Sequence, residues 1–394
     1  MSPIPAPNDS TITIDALTRD PYPIYRRLRS TNPVVNVASL DRIFLTRATD
    51  IRAVKDNPSL FSSDGTKTPM ERAFQAHTLM RKDGADHQRD RRAMAPAFSA
   101  RTLRDHWHGI YARIARDYVN RLPRGEVVDL FQTLAAPFAA RCLTHLLGIK
   151  SATDAQMMHW SQALIEGAGN FAQAPEPFAA TDAAHDIMNA LFARESDRHL
   201  VEQGPSALSA MVNADDPIAL SQIRANLKIA IGGGINEPRD ALCTILFGIL
   251  SNPDHIAAIH KDSKWFAEAF DEGIRWVAPI QTSSRRATQD TEIRGQHIAR
   301  DQIVMTIQAS AGHDEEIHKN PETFDLFRAD KSHQSFANGP HFCQGAHVAR
   351  MMLAQIMLPL LFERFPRMSL VDPGSVVWYG FAFRGPLSLL VRLE

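Results

Sequence analysis

Phe336-Ala337-Asn338-Gly339-Pro340-His341-Phe342-Cys343-Gln344-Gly345 is the densest local signal in the chain, and an amphipathic run from His347 follows it at once. Its glycines and proline mark a loop, and the apolar spacing beyond marks a helix. Cys343 therefore stands where a loop meets a helix N-terminus. Free backbone N–H groups and the helix dipole favour a thiolate there. A lone cysteine is more often a small buried hydrophobe, and Cys142 and Cys243, inside helical apolar patterns, read that way.

Working outward, the 394 residues are 44% hydrophobic and 22% charged, which suits a globular protein with a sizeable core. Lys plus Arg number 43 against 44 Asp plus Glu, leaving a net charge of −1. That balance argues against a nucleic-acid binder working through bulk positive charge. The longest nearly apolar run, residues 241–250, falls far short of the ~20 residues that span a bilayer. Residues 1–10 have neither the basic nor the apolar segment of a signal peptide. Three cysteines without a Cys-x-x-Cys pair exclude a disulfide scaffold and a multi-cysteine zinc site, and fit a reducing cytoplasm.

Helical periodicity covers residues 101–121, 131–147, 152–166, 180–202, 218–250 and 347–365. Strand-like stretches are shorter: 34–37, 42–46, 291–293, 303–307 and 387–393. Within 218–250, the stretch Gly232-Gly233-Gly234-Ile235-Asn236-Glu237-Pro238 is a poor helix former, since each glycine costs about 1 kcal/mol and an interior proline about 3. Pro238 also clashes with the carbonyl four residues back. Either two helices meet at a loop here, or one long core helix is opened where something lies against its backbone.

A single thiolate in an apolar, loop-framed niche can be the axial ligand of a haem iron. Other patterns stand in one order around it. His87-Gln88-Arg89-Asp90-Arg91 places a His and an Arg four apart; Glu272-Gly273-Ile274-Arg275 places a Glu and an Arg three apart. Arg285-Arg286-Ala287 follows, and Phe324-Asp325-Leu326-Phe327-Arg328 precedes the cysteine loop. Singly these are weak, because a Glu–Arg pair on a helix is ordinarily a solvated ion pair. Together with Phe336, Gly339, His341, Cys343 and Gly345, they resemble the cytochrome P-450 family from about Pro21 to the C-terminus. Ala337 departs from it, since members often carry Gly after the Phe.

The resemblance implies a mainly α, single-domain P-450 fold with small β sheets and a long central helix over haem. Residues 1–20 would be a loose N-terminal arm and residues 21–394 one haem-thiolate monooxygenase domain. It implies haem b as cofactor, with Cys343 as the ligand of its iron. His87, Arg91, Arg285 and His341 would hold the propionates, which need cationic or N–H partners in a partly buried site. Phe336 would shield the thiolate, and Glu272 with Arg275 would form a buried structural pair.

One departure bears on chemistry. Counting back from Pro253, which resembles the proline ending the family's central helix, residues 233–238 lie over the haem. Most members carry small-Gly-x-acid-Thr there, the acid and alcohol relaying protons during dioxygen activation. Here Asn236 stands for the acid and Glu237 for the alcohol, which makes these two the catalytic candidates. Glu237 could exchange a proton with hydrogen peroxide or position water for the dioxygen route. The bland alternative is that it turns away and pairs with Arg239 or a more distant cation.

Family topology puts Phe74, Phe171, Gly233, Val277, Ile280 and Phe381 around the substrate. Three phenylalanines suit a small planar aromatic ring. With the amide–acid pair, this resembles bacterial members that demethylate methoxylated, lignin-derived phenols and release formaldehyde. Hydroxylation of another small hydrophobic molecule or natural product, peroxygenase chemistry, and a non-catalytic haem-thiolate binding protein remain open. Arg89, Arg91, Arg92, Arg101 and Arg104 form a candidate docking face for a ferredoxin, flavodoxin or fused reductase. Nucleic-acid and membrane partners are not expected. His313 and His318 lack zinc-helix spacing, Gly148-Ile149-Lys150-Ser151 lacks the phosphate-loop pattern, and no Gly-x-Ser-x-Gly occurs.

Overall fold

The computed structural model describes residues 4–65 and 68–394. Amphipathic helices supply most of the mass, and their apolar faces merge into a large buried cluster running from Ala73 to Leu393. The expected helical runs form, with one recurring adjustment. Widened π-helical stretches, Phe131–Ala135 and Met351–Met357, lead directly into Ala136–Leu147 and Leu358–Arg364. Each of those following helices carries a proline at its second residue, Pro137 or Pro359. A proline has no N–H to donate, and the wider turn before it absorbs the missing bond.

The main sheet has six strands, in the order Asn8–Asp9, Val34–Val37, Arg42–Leu45, Ile303–Ile307, Thr282–Ala287 and Phe61–Ser62. Register is set by near-continuous burial of the inner strands, Ile43 lying opposite Val304 and Arg285 opposite Val304 from the other side. Smaller sheets join Ser369–Leu370, Leu390–Arg392 and Val127–Asp129, and pair Trp378–Tyr379 with Gly385–Pro386.

The N-terminal segment, expected to be loose, is tied along the sheet edge. Asn8 and Asp9 pair in parallel with Asn36 and Val37, and Ile14–Arg19 is a helix capped by Thr13. The prolines do not prevent this, because edge pairing here uses carbonyls: His297 donates to Ile4 and Asn36 donates to Pro7.

The central helix is one element opened over two residues. Leu220–Gly233 runs through Gly232 and Gly233, and Asn236–Leu250 resumes after Gly234 and Ile235. Together they extend about 46 Å. Pro238 falls in the first turn of the second half, where backbone N–H groups have no intrahelical partner to lose. The break thus removes the clash that a continuous helix would impose. Among the described residues, no single helix is long and apolar enough to cross a membrane.

Candidate active site

The cysteine loop is held by backbone bonds. The Cys343 N–H donates to the Phe336 carbonyl at 2.8 Å, and the Phe342 N–H donates to Gly339 at 3.1 Å. Two residues take left-handed backbone angles: Gly339 at φ +65° and Ala337 at φ +57°. A Cβ on Gly339 would lie 2.9 Å from the Lys55 carbonyl oxygen, so only glycine fits that approach. The usual glycine at the Ala337 position is explained by the same angle. Phe336 stacks on Phe270 and meets Phe342 edge-on, closing the loop side of the cysteine.

Cys343 has accessible surface although protein surrounds it, so its sulfur faces an interior space. Burial raises its pKa, opposed by N–H groups of Gly345 and Ala346 directed at the sulfur. A positive centre at the sulfur would reverse that balance and yield thiolate.

The opening of the central helix supplies the second part of the site. Gly233 is exposed there, and the Glu237 Oε1 lies 3.8 Å from where a Gly233 Cβ would stand. Glu237 is close enough for its charge to act on the Cys343 thiol. Both carboxylate oxygens are buried without a hydrogen-bond partner. Burial, aided by Asp240 and opposed by its own backbone N–H and by Arg239, pushes its pKa up to about 8. Arg239 is engaged elsewhere, bonding Asp240 at 2.7 Å and covering the Phe131 ring. Asn236 does not face its neighbour's carboxylate: its Nδ2 donates to Ser161 at 3.1 Å, and Ser161 donates to the Gly232 carbonyl. Asn236 therefore straps the helix break to the Asp154–Ala168 helix.

At one rim the chain gathers cations. His87 and His341 stack with ring centroids 4.1 Å apart. Both His87 nitrogens lack partners, and burial, with the neighbouring His341 and Arg91 charges, lowers its pKa to about 4. His341 Nε2 meets Ser63 Oγ at 2.9 Å and Asp83 at 3.4 Å. Burial alone would raise the Asp83 pKa, but bonds from His341, Ser62 and Ser63 hold it well below the usual range. Arg285 is buried, donates to the Ser284 carbonyl, and is lowered to about 10 by burial, with Asp83 partly offsetting. Arg91 instead donates to the Phe342 carbonyl at 2.5 Å, bracing the cysteine loop.

Two further cations reach this rim that sequence reasoning missed. Arg81 and Lys55 are both desolvated beside Arg285, with Arg81 Nε and Lys55 Nζ unpartnered. The signal for Lys55 was its place on the apolar stripe Ala48, Ile51, Val54, Lys55 of one helix. Haem b fits this donor set. A thiol faces an interior space, glycines open the central helix, and unpartnered buried nitrogens line the rim where two carboxylates would lie.

Beneath the loop, Glu272 and Arg275 form a fully buried bidentate pair at 2.7 and 2.8 Å. Arg328, to which no role was given, joins them.

The substrate candidates divide. Phe74 packs on the central helix: a Cβ on Gly232 would lie 2.8 Å from its ring. Phe171 and Phe381 come together with centroids 5.9 Å apart, Phe381 also stacking on Phe44 in a cluster under the main sheet. Ile280 forms a β-bridge with Phe383, two residues from Phe381. Val277 lines a different, surface cavity of about 410 Å³ with Tyr22, Trp276, His313 and Arg384.

The cytochrome P450 family model matches residues 16–370. Among curated relatives, the cytochrome P450 monooxygenase PikC of Streptomyces venezuelae is 29% identical over 91% of this chain and 88% of its own. Linalool 8-monooxygenase of Pseudomonas putida is 29% identical over 89% of this chain and 90% of its own. Among solved structures, the P450 enzyme CxnD, for C–S bond formation in chuangxinmycin biosynthesis, superposes with a TM-score of 0.88 at 22% identity, covering 98% and 97% of the two chains. P450BioI, in complex with an acyl carrier protein, gives 0.87 at 20% identity over 96% and 100%. At those identities the structures testify to fold alone. The family match carries the rest, in agreement with the thiol, its cation rim and the buried pair beneath: the chain belongs to the cytochrome P450 family and is a haem b monooxygenase.

Proposed function

We propose that this monooxygenase removes the methyl group of a small methoxylated aromatic, releasing formaldehyde, with Glu237 handling the protons. The observation that carries the reading is the buried, unpartnered Glu237 carboxylate beside Gly233, close enough to act on the cysteine thiol. When bound, haem b supplies the oxygen-activating chemistry. With a pKa near 8, Glu237 holds a proton at neutral pH and can release and regain it at a carboxylate oxygen. That capacity also serves hydrogen peroxide as oxidant, since the protonated carboxyl can give its proton to the leaving peroxide oxygen while its other oxygen takes one from the retained oxygen. Phe74, itself buried, packs on Gly232 and backs the opened helix with an apolar ring.

Arg89, Arg92, Arg101 and Arg104 are exposed near the helix that carries His87 and, with the exposed Phe342 ring, form the face on which we dock a ferredoxin, flavodoxin or fused reductase. We read residues 21–394 as one domain, because early and late segments share the main sheet and its apolar clusters, and place it in a reducing cytoplasm on its three unpaired cysteines.

A second reading, hydroxylation of a terpene or another natural product, is favoured by the linalool-oxidising relative. One screen separates them. Methoxylated phenols, monoterpene alcohols and fatty acids are titrated into the haem-loaded protein while the ferric spin state is followed, and turnover is assayed for formaldehyde. A spin shift and formaldehyde with a methoxyphenol support demethylation. A shift confined to terpenes, without formaldehyde from any aryl ether, transfers the assignment to the second reading.

A further inference from the structure

Lys55 lies on the Ala48–Asp56 helix with only 2% of its surface exposed. Its Nζ has no hydrogen-bond partner. Among the described residues, the charged group acting on it is Arg285, another cation, and burial with that repulsion drives its pKa far down. An isolated buried ammonium next to a buried guanidinium is costly, and of the two only Arg285 has a carboxylate, Asp83, near enough to offset part of that cost. The helix is fixed in place by the cysteine loop: Gly339 packs against the Lys55 carbonyl, and Asn338 bonds Asp56 at 2.5 Å. Its apolar face packs with Val304 and Ala287, on the strands that carry and oppose Arg285. The position is therefore set by the same loop and strand that present His341 and Arg285 to the rim.

We propose that Lys55 is a propionate-binding residue, reaching a haem carboxylate from behind Arg285. The family signature of His87, Arg91, Arg285 and His341 does not contain it. Arg91 is turned to the Phe342 carbonyl here, and Lys55 makes up a cation beside Arg285. An anionic partner restores the charged ammonium that burial otherwise suppresses, so cofactor and lysine stabilise each other.

The test uses the haem-loaded protein and two readouts besides turnover. Haem transfer to excess apomyoglobin should run about tenfold faster in Lys55→Met than in the parent. The ferric/ferrous midpoint potential should move to more negative values, because a positive charge near the iron is lost. Lys55→Gln, which keeps length and polarity, should show both effects at reduced size and serves if the Met variant does not fold. Unchanged haem transfer overturns the proposal. Faster transfer with an unmoved potential overturns it too, since that result assigns Lys55 to packing alone.

Discussion

Arg328 donates its Nε to both carboxylate oxygens of Glu272, at 3.1 and 3.2 Å, while Arg275 grips the same carboxylate from the other side. The remaining guanidinium N–H groups end on loop carbonyls: Lys319, Asn320 and Thr323 for Arg328, and Gly312, Pro321 and Thr323 for Arg275. Three buried charges are tolerable because nearly every donor is used, and the carbonyls they bind belong to the segment leading into the cysteine loop. Arg275→Met should therefore cost about 3–5 kcal/mol, the usual range for breaking a buried pair. Arg328→Met, which leaves the Glu272–Arg275 pair standing, should cost about 2 kcal/mol, mainly through orphaned carbonyls. Urea titrations with haem content followed in parallel will rank them; equal effects would mean that Arg328 is not subordinate.

Cys343→Ser should abolish the red-shifted Soret band that a thiolate-ligated carbon monoxide complex gives, while leaving the helix after the loop intact. Far-ultraviolet circular dichroism checks the second half. A variant that keeps the band assigns the axial ligand elsewhere.

Glu237→Gln keeps size and one hydrogen-bonding oxygen but removes the titrating proton. Peroxide-supported turnover should fall by roughly 10²-fold, the lower end of general acid–base effects. Stability provides a second readout. The folded pKa of about 8 lies above the ordinary 4.5, so the folded protein holds the extra proton between these values. Its stability therefore falls as pH rises through that window. The Gln variant should lose this slope and melt higher than the parent above pH 8.

The cysteine loop contains a paired test of backbone strain. Ala337 at φ +57° carries a left-handed angle that costs a non-glycine residue about 1 kcal/mol. Ala337→Gly should stabilise by about 0.5 kcal/mol after the extra unfolded-state entropy of glycine is subtracted. Gly339→Ala should destabilise by about 2 kcal/mol or more, because its Cβ would meet the Lys55 carbonyl at 2.9 Å in a left-handed backbone. Thermal melts showing the opposite signs would overturn the strain assignment.

Acid should undo the rim before it undoes the core. His87 is held near pKa 4 by burial against an ordinary 6.5, so between those values the unfolded chain binds the extra proton. Its contribution is present above about 6.5 and is lost as pH falls toward 4. His87→Gln should flatten the pH dependence of stability across that window, measured as midpoints of denaturant unfolding at closely spaced pH values.

Phe336 through Gly345 and the ordered pairs around it carry the family, the axial ligand and most of the rim in a single reading, because each depends on residue types at short fixed spacing. Part of the strand pattern was legible for the same reason: strands 34–37 and 303–307 coincide with the expected ranges, since apolar periodicity is local, whereas Thr282–Ala287, polar in sequence, was not expected and 387–393 shortens to Leu390–Arg392. The extent of the helix opening was not legible. Glycine and proline penalties predict a weak stretch, but only packing against Phe74, Leu143 and Ser161 decides that two residues, Gly234 and Ile235, leave the helix. The direction of Asn236 and Glu237 was likewise undecided, since adjacent residues on a helix point about 100° apart and tertiary neighbours select which faces the site. Lys55 and Arg328 lie far from the motifs they serve in sequence, and their roles exist only once the sheet and the loop bring Arg285 and Glu272 to them. Local chemistry is written in spacing; the sharing of a buried charge among distant segments is settled by the fold, where desolvation makes every unpaired group costly.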